Sequence, residues 1–261
     1  RCIVTISFRD LLKNHFMEDS FIDIGANLTD QSFDQDRDMV IKDSFKNGIE
    51  QIIVTSSSIN ESLKSIELAR SYKGKIWATA GIHPHNASNA SENFKDDLMA
   101  ILNNDEVVAI GECGLDYVKV KDQNTQRFFF DEQVALATRF DLPLIIHSVH
   151  ATEDVTDLLK SYSKSRGVIH AYSGSLQQAE NLLKINFSFG FGAALTNPHA
   201  YKLHDIVNFL PIESIVIETD DRNNPDELIQ VAERVARIKK ITAEEVIDQC
   251  DQNTYNLFKI S

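Results

Sequence analysis

The feature that most constrains the fold is an alternation of short apolar runs with amphipathic stretches, repeated eight times. The runs are FIDIG (21–25), EQIIVTS (50–56), KIWATAGIH (75–83), EVVAIGE (106–112), LPLIIHS (142–148), GVIHAYSG (167–174), INFSFGFG (185–192) and SIVIETD (214–220). Most are continuously apolar rather than strictly alternating, as expected of parallel strands covered on both faces. The segments between them carry helical spacing. Gly48 is placed to stop the first helix and Asn60 to cap the second, whose apolar positions are Leu63, Ile66 and Ala69. Phe130, Val134 and Ala137 mark the buried stripe of the fourth, and Pro225 opens the eighth. A final helix pair, TAEEVIDQC and NTYNLFK, follows. Eight such units predict a single (β/α)8 TIM barrel rather than an open sheet. Met17 stands just before the first strand, so residues 17–261 are read as the barrel domain and 1–16 as an extension of no assigned role.

In a barrel of this kind the active site gathers at the C-terminal ends of the strands. Four of the runs end on a metal-ligand type: Glu112, His147, His170 and Asp220. A single strand-end histidine is usually a satisfied core residue. Two on successive strands, with carboxylates on two others, suggest convergence on one point. Two imidazoles and two carboxylates suit a hard or borderline divalent ion and leave a position open for water. Glu218 falls on the same side of its strand as Asp220 and can support the ligands from behind. His83 and His85, around Pro84, are placed to meet a phosphate oxygen or simply to form a polar turn. Cys113, beside Glu112, reads as a small buried thiol rather than a nucleophile.

Composition narrows the chemistry. The net charge is −13, which argues against a broad basic surface that grips nucleic acid by neutralising phosphates. It leaves room for an enzyme that meets phosphate through a metal and a few local cations, for which Lys119, Lys121 and Arg222 are the candidates. Three scattered cysteines give no disulfide framework and fit a reducing, cytoplasmic or nuclear setting. No apolar stretch reaches the roughly 18 residues needed to cross a bilayer.

Taken in order, DIGANL (23–28), GIHPH (81–85), AIGECGLDY (109–117), the Gln126–Gln133 stretch, LPLIIH (142–147), HAYSG (170–174) and IETD (217–220) resemble the TatD family of metal-dependent deoxyribonucleases, in its DIGxN branch. The resemblance implies an amidohydrolase-type barrel, a divalent cofactor (Mg2+, with Zn2+ or Mn2+ as alternatives) and 3′→5′ exonucleolytic cleavage of single-stranded or frayed DNA. By matching position it implies Glu112, His147, His170 and Asp220 as metal ligands, with Asp220 and Glu112 catalytic and His83 at the substrate phosphate. Three positions depart from the family pattern. Gly25 and Asn27 stand where many relatives carry a histidine pair, Val149 replaces an arginine, and the loop after Asp220 is cut to DRNNPDE. The alternative reading is a hydrolase of a small phosphoester, lactone or amide on the same barrel.

Overall fold

The computed structural model describes residues 21–219 and 225–260. The 1–16 extension, Asp220 and Arg222 lie outside the described residues. Eight strands form one parallel sheet in chain order: β1 Phe21–Ala26, β2 Ile49–Val54, β3 Ile76–Ala80, β4 Val107–Asp116, β5 Leu144–Val149, β6 Gly167–Ile169, β7 Phe187–Phe191 and β8 Ile215–Ile217. The intervening helices are α1 Arg37–Lys46, α2 Ile59–Ser71, α3 Phe94–Ile101, α4 Gln123–Phe140, α5 Thr152–Lys160, α6 Leu176–Leu183 and α7 Tyr201–Phe209. Two more, α8 Pro225–Lys239 and α9 Ala243–Phe258, follow β8. This is the (β/α)8 barrel that the alternating pattern predicts.

The barrel has two apolar layers. Ile22, Ile24, Ile53, Val108, Ile145, Val168 and Val216 form one buried cluster with Phe258 and Ile260 from the end of the last helix. A larger cluster packs the opposite strand faces against the helices. First and last strands are bridged by a side chain: the carboxylate of Asp23 accepts from the backbone N–H of Thr219 (3.1 Å) and from its hydroxyl (2.7 Å). On the other flank of β1, the N–H of Ile22 donates to Asp251 of α9 at 3.0 Å.

Local signals account for most helix ends, with three corrections. Ser58, not Asn60, caps α2, accepting from the N–H of Glu61 at 3.3 Å. Leu63 is exposed, and the inward face of α2 is Ser62, Ser65, Ile66 and Ala69. The small serines let the helix approach the sheet, and their hydroxyls bond to Ser58 O and Ser62 O. The expected terminal helix pair is one helix, α9, opened by a Thr242–Glu245 capping box. Its polar middle stays helical because Asn253 donates to the carbonyls of Ile212 and Ile215, both at 2.8 Å.

Candidate metal centre and phosphoesterase site

Strand β4 carries the key carboxylate, and it runs further than its apolar residues suggest. Pairing with β5 slips between Ile110 and Cys113, then continues to Asp116 opposite Val149. Glu112 sits in this irregularity, where an extra residue re-aims a side chain. Its own N–H donates to Ser56 O at 2.8 Å, and the carbonyl of Gly111 accepts from the Thr79 hydroxyl. Gly114 has a φ of +134°, and a Cβ there would lie 2.0 Å from His147 O. Only glycine lets β4 and β5 stay paired at that point.

Glu112 and three imidazoles share the barrel mouth. Its Oε1 is 2.8 Å from His147 Nδ1 and 3.6 Å from His83 Nε2. His147 Nε2 lies 3.3 Å from Asp116 Oδ2, which also meets His85 Nε2 at 2.7 Å. The chain of contacts is therefore His83, Glu112, His147, Asp116, His85. Rings of His83 and His147 meet edge-on with centroids 4.4 Å apart, and those of His83 and His85 at 4.3 Å.

His170 stands at the end of β6, with its Nδ1 2.7 Å from Glu218 Oε2. The other oxygen of Glu218 accepts from the N–H of Ala171 at 2.6 Å. Glu218 thus fixes both the ring and the backbone of its partner, the arrangement by which a carboxylate orients a ligating histidine. Two glycines make room for this pair. A Cβ on Gly25 would come within 2.9 Å of the His170 ring, and one on Gly190 within 2.3 Å of Glu218 Oε2. The missing side chain at Gly25 leaves the space that the His170 ring occupies. Gly190→Ala should displace Glu218 and weaken divalent-ion affinity about 10- to 100-fold, read by chelator competition, while far-UV circular dichroism stays unchanged.

Electrostatics bind these groups into one unit. Burial alone would raise the Glu112 carboxyl, but His170, His147 and His83 hold it well below the usual carboxylate range. Burial pushes the His83 imidazole down, only partly opposed by Glu112. Burial acts the same way on His147, yet Glu112 and Asp116 outweigh it and leave that imidazole raised. Asp116 is buried, but His85 and the N–H groups of Lys119 and Val118 keep it ionised far into acid. Asp23 goes the other way, pushed up to about 6 by burial despite its Thr219 and Gly25 bonds.

The donor set fits a divalent ion. The ligand nitrogens of His83, His85 and His147 lie within 4.8 Å of one another, with two carboxylates between the rings. That imidazole trio differs from the set expected from sequence. Glu112 touches two of the three rings, His147 and His83, and a carboxylate together with imidazoles suits a borderline ion. Asn27 adds a buried carbonyl oxygen without a hydrogen-bond partner among the described residues, at the same end of the barrel.

Among the sequence-predicted residues, Glu112, His147 and His83 are brought into contact, and His170 is near enough to act on the Glu112 carboxyl. Lys119 is exposed on the β4–α4 loop, and its backbone N–H donates to Asp116 Oδ1 at 2.8 Å. Sequence reasoning missed Asp116, Asp23 and the pairing role of His85. Asp116 does fall within AIGECGLDY, but it lies past the apolar run VVAI, so periodicity alone reads it as beyond the strand. Cys113 is buried and its thiol is pushed up by burial, which agrees with a packing role.

Two glutamines on α4 hold the loops in place. Gln126 accepts from the N–H of Asp116 (2.6 Å) and donates to its carbonyl (3.2 Å). Gln133 accepts from the N–H of Ile82 (2.7 Å) and donates to its carbonyl (3.1 Å), one residue before His83. Both are fully buried. Gln133→Leu leaves that peptide unpaired and should cost about 2 to 3 kcal/mol of stability, measured by urea unfolding.

Comparison with known proteins now adds to the geometry. The family model described as TatD related DNase matches residues 22–259. This chain belongs to the TatD family. It is 32% identical to the Salmonella typhimurium protein named 3′-5′ ssDNA/RNA exonuclease TatD, covering 91% of this chain and 98% of that one. It is also 32% identical to the Bacillus subtilis uncharacterized metal-dependent hydrolase YabD, covering 92% and 99%. Among solved structures, the TatD homolog YjjV of Escherichia coli superposes with a TM-score of 0.86 at 29% identity, covering 92% of this chain and 98% of that one. TatD membership and a shared barrel therefore rest on sequence and on fold alike. No helix among the described residues is long and apolar enough to cross a membrane.

Proposed function

We infer that this TatD protein is a metal-dependent nuclease that removes nucleotides from the 3′ end of single-stranded or frayed DNA. The observation that carries the reading is the contact of Glu112 with His147 and His83 at the strands' C-terminal end, with His170 acting on the same carboxyl. Glu112, His147, His170 and Asp220 are proposed to hold one divalent ion, Mg2+ first and Mn2+ or Zn2+ as alternatives. Such an ion, when bound, polarises a phosphoryl oxygen and lowers the pKa of water.

The chain's own residues supply the rest. Glu218 holds the His170 ring in one orientation through Nδ1, so Nε2 would be the nitrogen to meet a bound ion. His83, whose imidazole is pushed down by burial, can donate one hydrogen bond to a phosphate oxygen. Asp220 is assigned the water proton, as a strand-end carboxylate acting as general base. Lys119, on the loop after β4, and Arg222, which follows β8 in the sequence, are proposed to attract phosphate.

The test is degradation of a 5′-labelled single-stranded oligonucleotide with Mg2+, Mn2+, Zn2+ or a chelator. Shortening from the 3′ end that stops on chelation is expected. No chelator-sensitive cleavage by metal-loaded protein would remove the nuclease reading and leave the small-phosphoester hydrolase, which the net charge of −13 favours. His170→Ala should lose most bound metal by elemental analysis, whereas His150→Ala, on an exposed turn, should retain it. Equal occupancy in both would count against the ligand set.

A further inference from the structure

Asp116 closes β4 at the barrel mouth and is buried, yet its carboxylate is fully engaged. Oδ1 accepts from the N–H groups of Val118 (2.9 Å) and Lys119 (2.8 Å). Oδ2 meets His85 Nε2 at 2.7 Å and His147 Nε2 at 3.3 Å. An ionised carboxylate offers about four acceptor positions, and these partners take them. Such a group is built to hold its neighbours in place rather than to hold an ion. Asp116 is itself fixed from behind, because Gln126 accepts from its N–H at 2.6 Å and donates to its carbonyl at 3.2 Å.

His147 stands between two carboxylates and shows each a different nitrogen. Its Nδ1 is 2.8 Å from Glu112 Oε1, and its Nε2 faces Asp116. If Glu112 and His147 share an ion, Nδ1 must offer a lone pair rather than a proton. The ring proton then belongs on Nε2, and a carboxylate, which only accepts, keeps it there. His170 is arranged the other way round, since Glu218 meets its Nδ1 at 2.7 Å. Each imidazole therefore has its own carboxylate behind it, on opposite ring nitrogens. Asp116 also reaches the GIHPH turn. The N–H of His85 donates to His83 Nδ1 at 3.2 Å, so the ring that Asp116 holds belongs to the residue that orients His83.

We propose that Asp116 is a positioning residue for the metal centre: by accepting from Nε2 of His147 it fixes Nδ1 as the ligating nitrogen, and by holding His85 it sets the His83 turn against that ligand. The role rests on the reading of His147 as a ligand and is independent of which substrate the centre cleaves. Removing an outer partner of a ligating histidine lowers ion affinity about 10- to 100-fold. Asp116→Asn isolates the effect. The N–H groups of Val118 and Lys119 keep the amide oxygen on the loop side, so the loop stays in place. The amide nitrogen then puts a donor against His147 Nε2. That nitrogen must accept, the ring proton moves to Nδ1, and the side facing Glu112 is blocked to an ion.

The test uses the full chain, loaded with Zn2+ and isotope-labelled at its histidine ring nitrogens, without substrate. In wild type the His147 signals, identified by their loss in His147→Gln, should show Nδ1 bound to zinc and Nε2 protonated. Asp116→Asn should bind Zn2+ about 10- to 100-fold more weakly by chelator competition, while the chelator-treated protein unfolds at the wild-type temperature. In a His147→Gln background the same change should cost no further affinity, since a ligand and the residue that positions it act as one unit. Zinc held through Nε2 of His147 in wild type overturns the role. So does wild-type affinity in Asp116→Asn, or an undiminished loss in the His147→Gln background. Should Asp116→Asn fail to fold, the wild-type spectrum decides. Wild type that binds no Zn2+ overturns the centre and this role together. No nucleic acid enters these measurements, so failure of the positioning role and failure of the nuclease reading are told apart.

Discussion

Glu112→Gln should abolish divalent-ion occupancy and reduce cleavage of a single-stranded oligonucleotide by about a thousandfold or more. The substitution keeps size and one carbonyl oxygen but removes the charge that three imidazoles surround. In the native protein Oε1 alone meets His147 at 2.8 Å and His83 at 3.6 Å. An amide offers a donor to one of those rings and so opposes both the ion and the neighbouring nitrogen atoms. Loss of several kcal/mol of charge stabilisation corresponds to about three powers of ten in rate. Occupancy is read by elemental analysis and cleavage by gel, with thermal unfolding in chelator as the control for folding. Full activity in Glu112→Gln would mean that the ion, if used, is held elsewhere.

Asp220→Asn is the second large effect. The change preserves shape and polarity but deletes the negative charge and the base assigned to the water proton. Cleavage at saturating substrate should fall at least about a hundredfold, the lower range for lost general acid–base catalysis. Lys119→Ala should behave differently. Its side chain stands on an exposed loop, so its loss should raise KM and flatten the salt dependence while sparing kcat. The two variants separate attraction of phosphate from chemistry upon it. A kcat for Asp220→Asn within a few-fold of wild type would sink the general-base assignment.

Much of the architecture could be read without coordinates, for a physical reason. Strands buried on both faces must be apolar throughout, so all eight stood out between polar helices. Their ends were less legible. β4 runs on to Asp116 because glycines at 111 and 114 let it hug β5, whereas in the sequence GECG looks like a terminus. β6 and β8 end with their last apolar residues, Ile169 and Ile217, although the N–H groups of His170 and Glu218 still donate to Ile146 O and Phe191 O on the neighbouring strands. In the site, histidines and a glutamate closing hydrocarbon runs were visible because such residues have little other reason to be there. Asp116 and Asp23 were not, because Asp116 falls beyond the apolar run of its strand and Asp23 is a single carboxylate between two isoleucines. Their significance comes from partners far away in sequence: His85 and His147 for one, Thr219 for the other. Gln126 and Gln133 were noticed only as part of a motif. Periodicity placed their helix, but only three-dimensional contact reveals that each grips a peptide on a neighbouring loop.

The seating of Phe258 and Ile260 against Ile22 and Ile24, with Asp251 holding the Ile22 N–H, has a bearing on how the protein is made. A ribosome releases the first strand long before the residues that cover it. Until the segment around 251–260 emerges from the exit tunnel, the inner layer of the half-built barrel faces water and the amide of Ile22 lacks its acceptor. Contacts spanning 229 positions also make the final closure slow, since the ends of a long loop must meet before they are rewarded. Nascent chains of this protein should therefore be clients of holding chaperones until that segment has been made. A stop codon placed just before Asp251 should yield a product that is degraded rather than one that is merely less active.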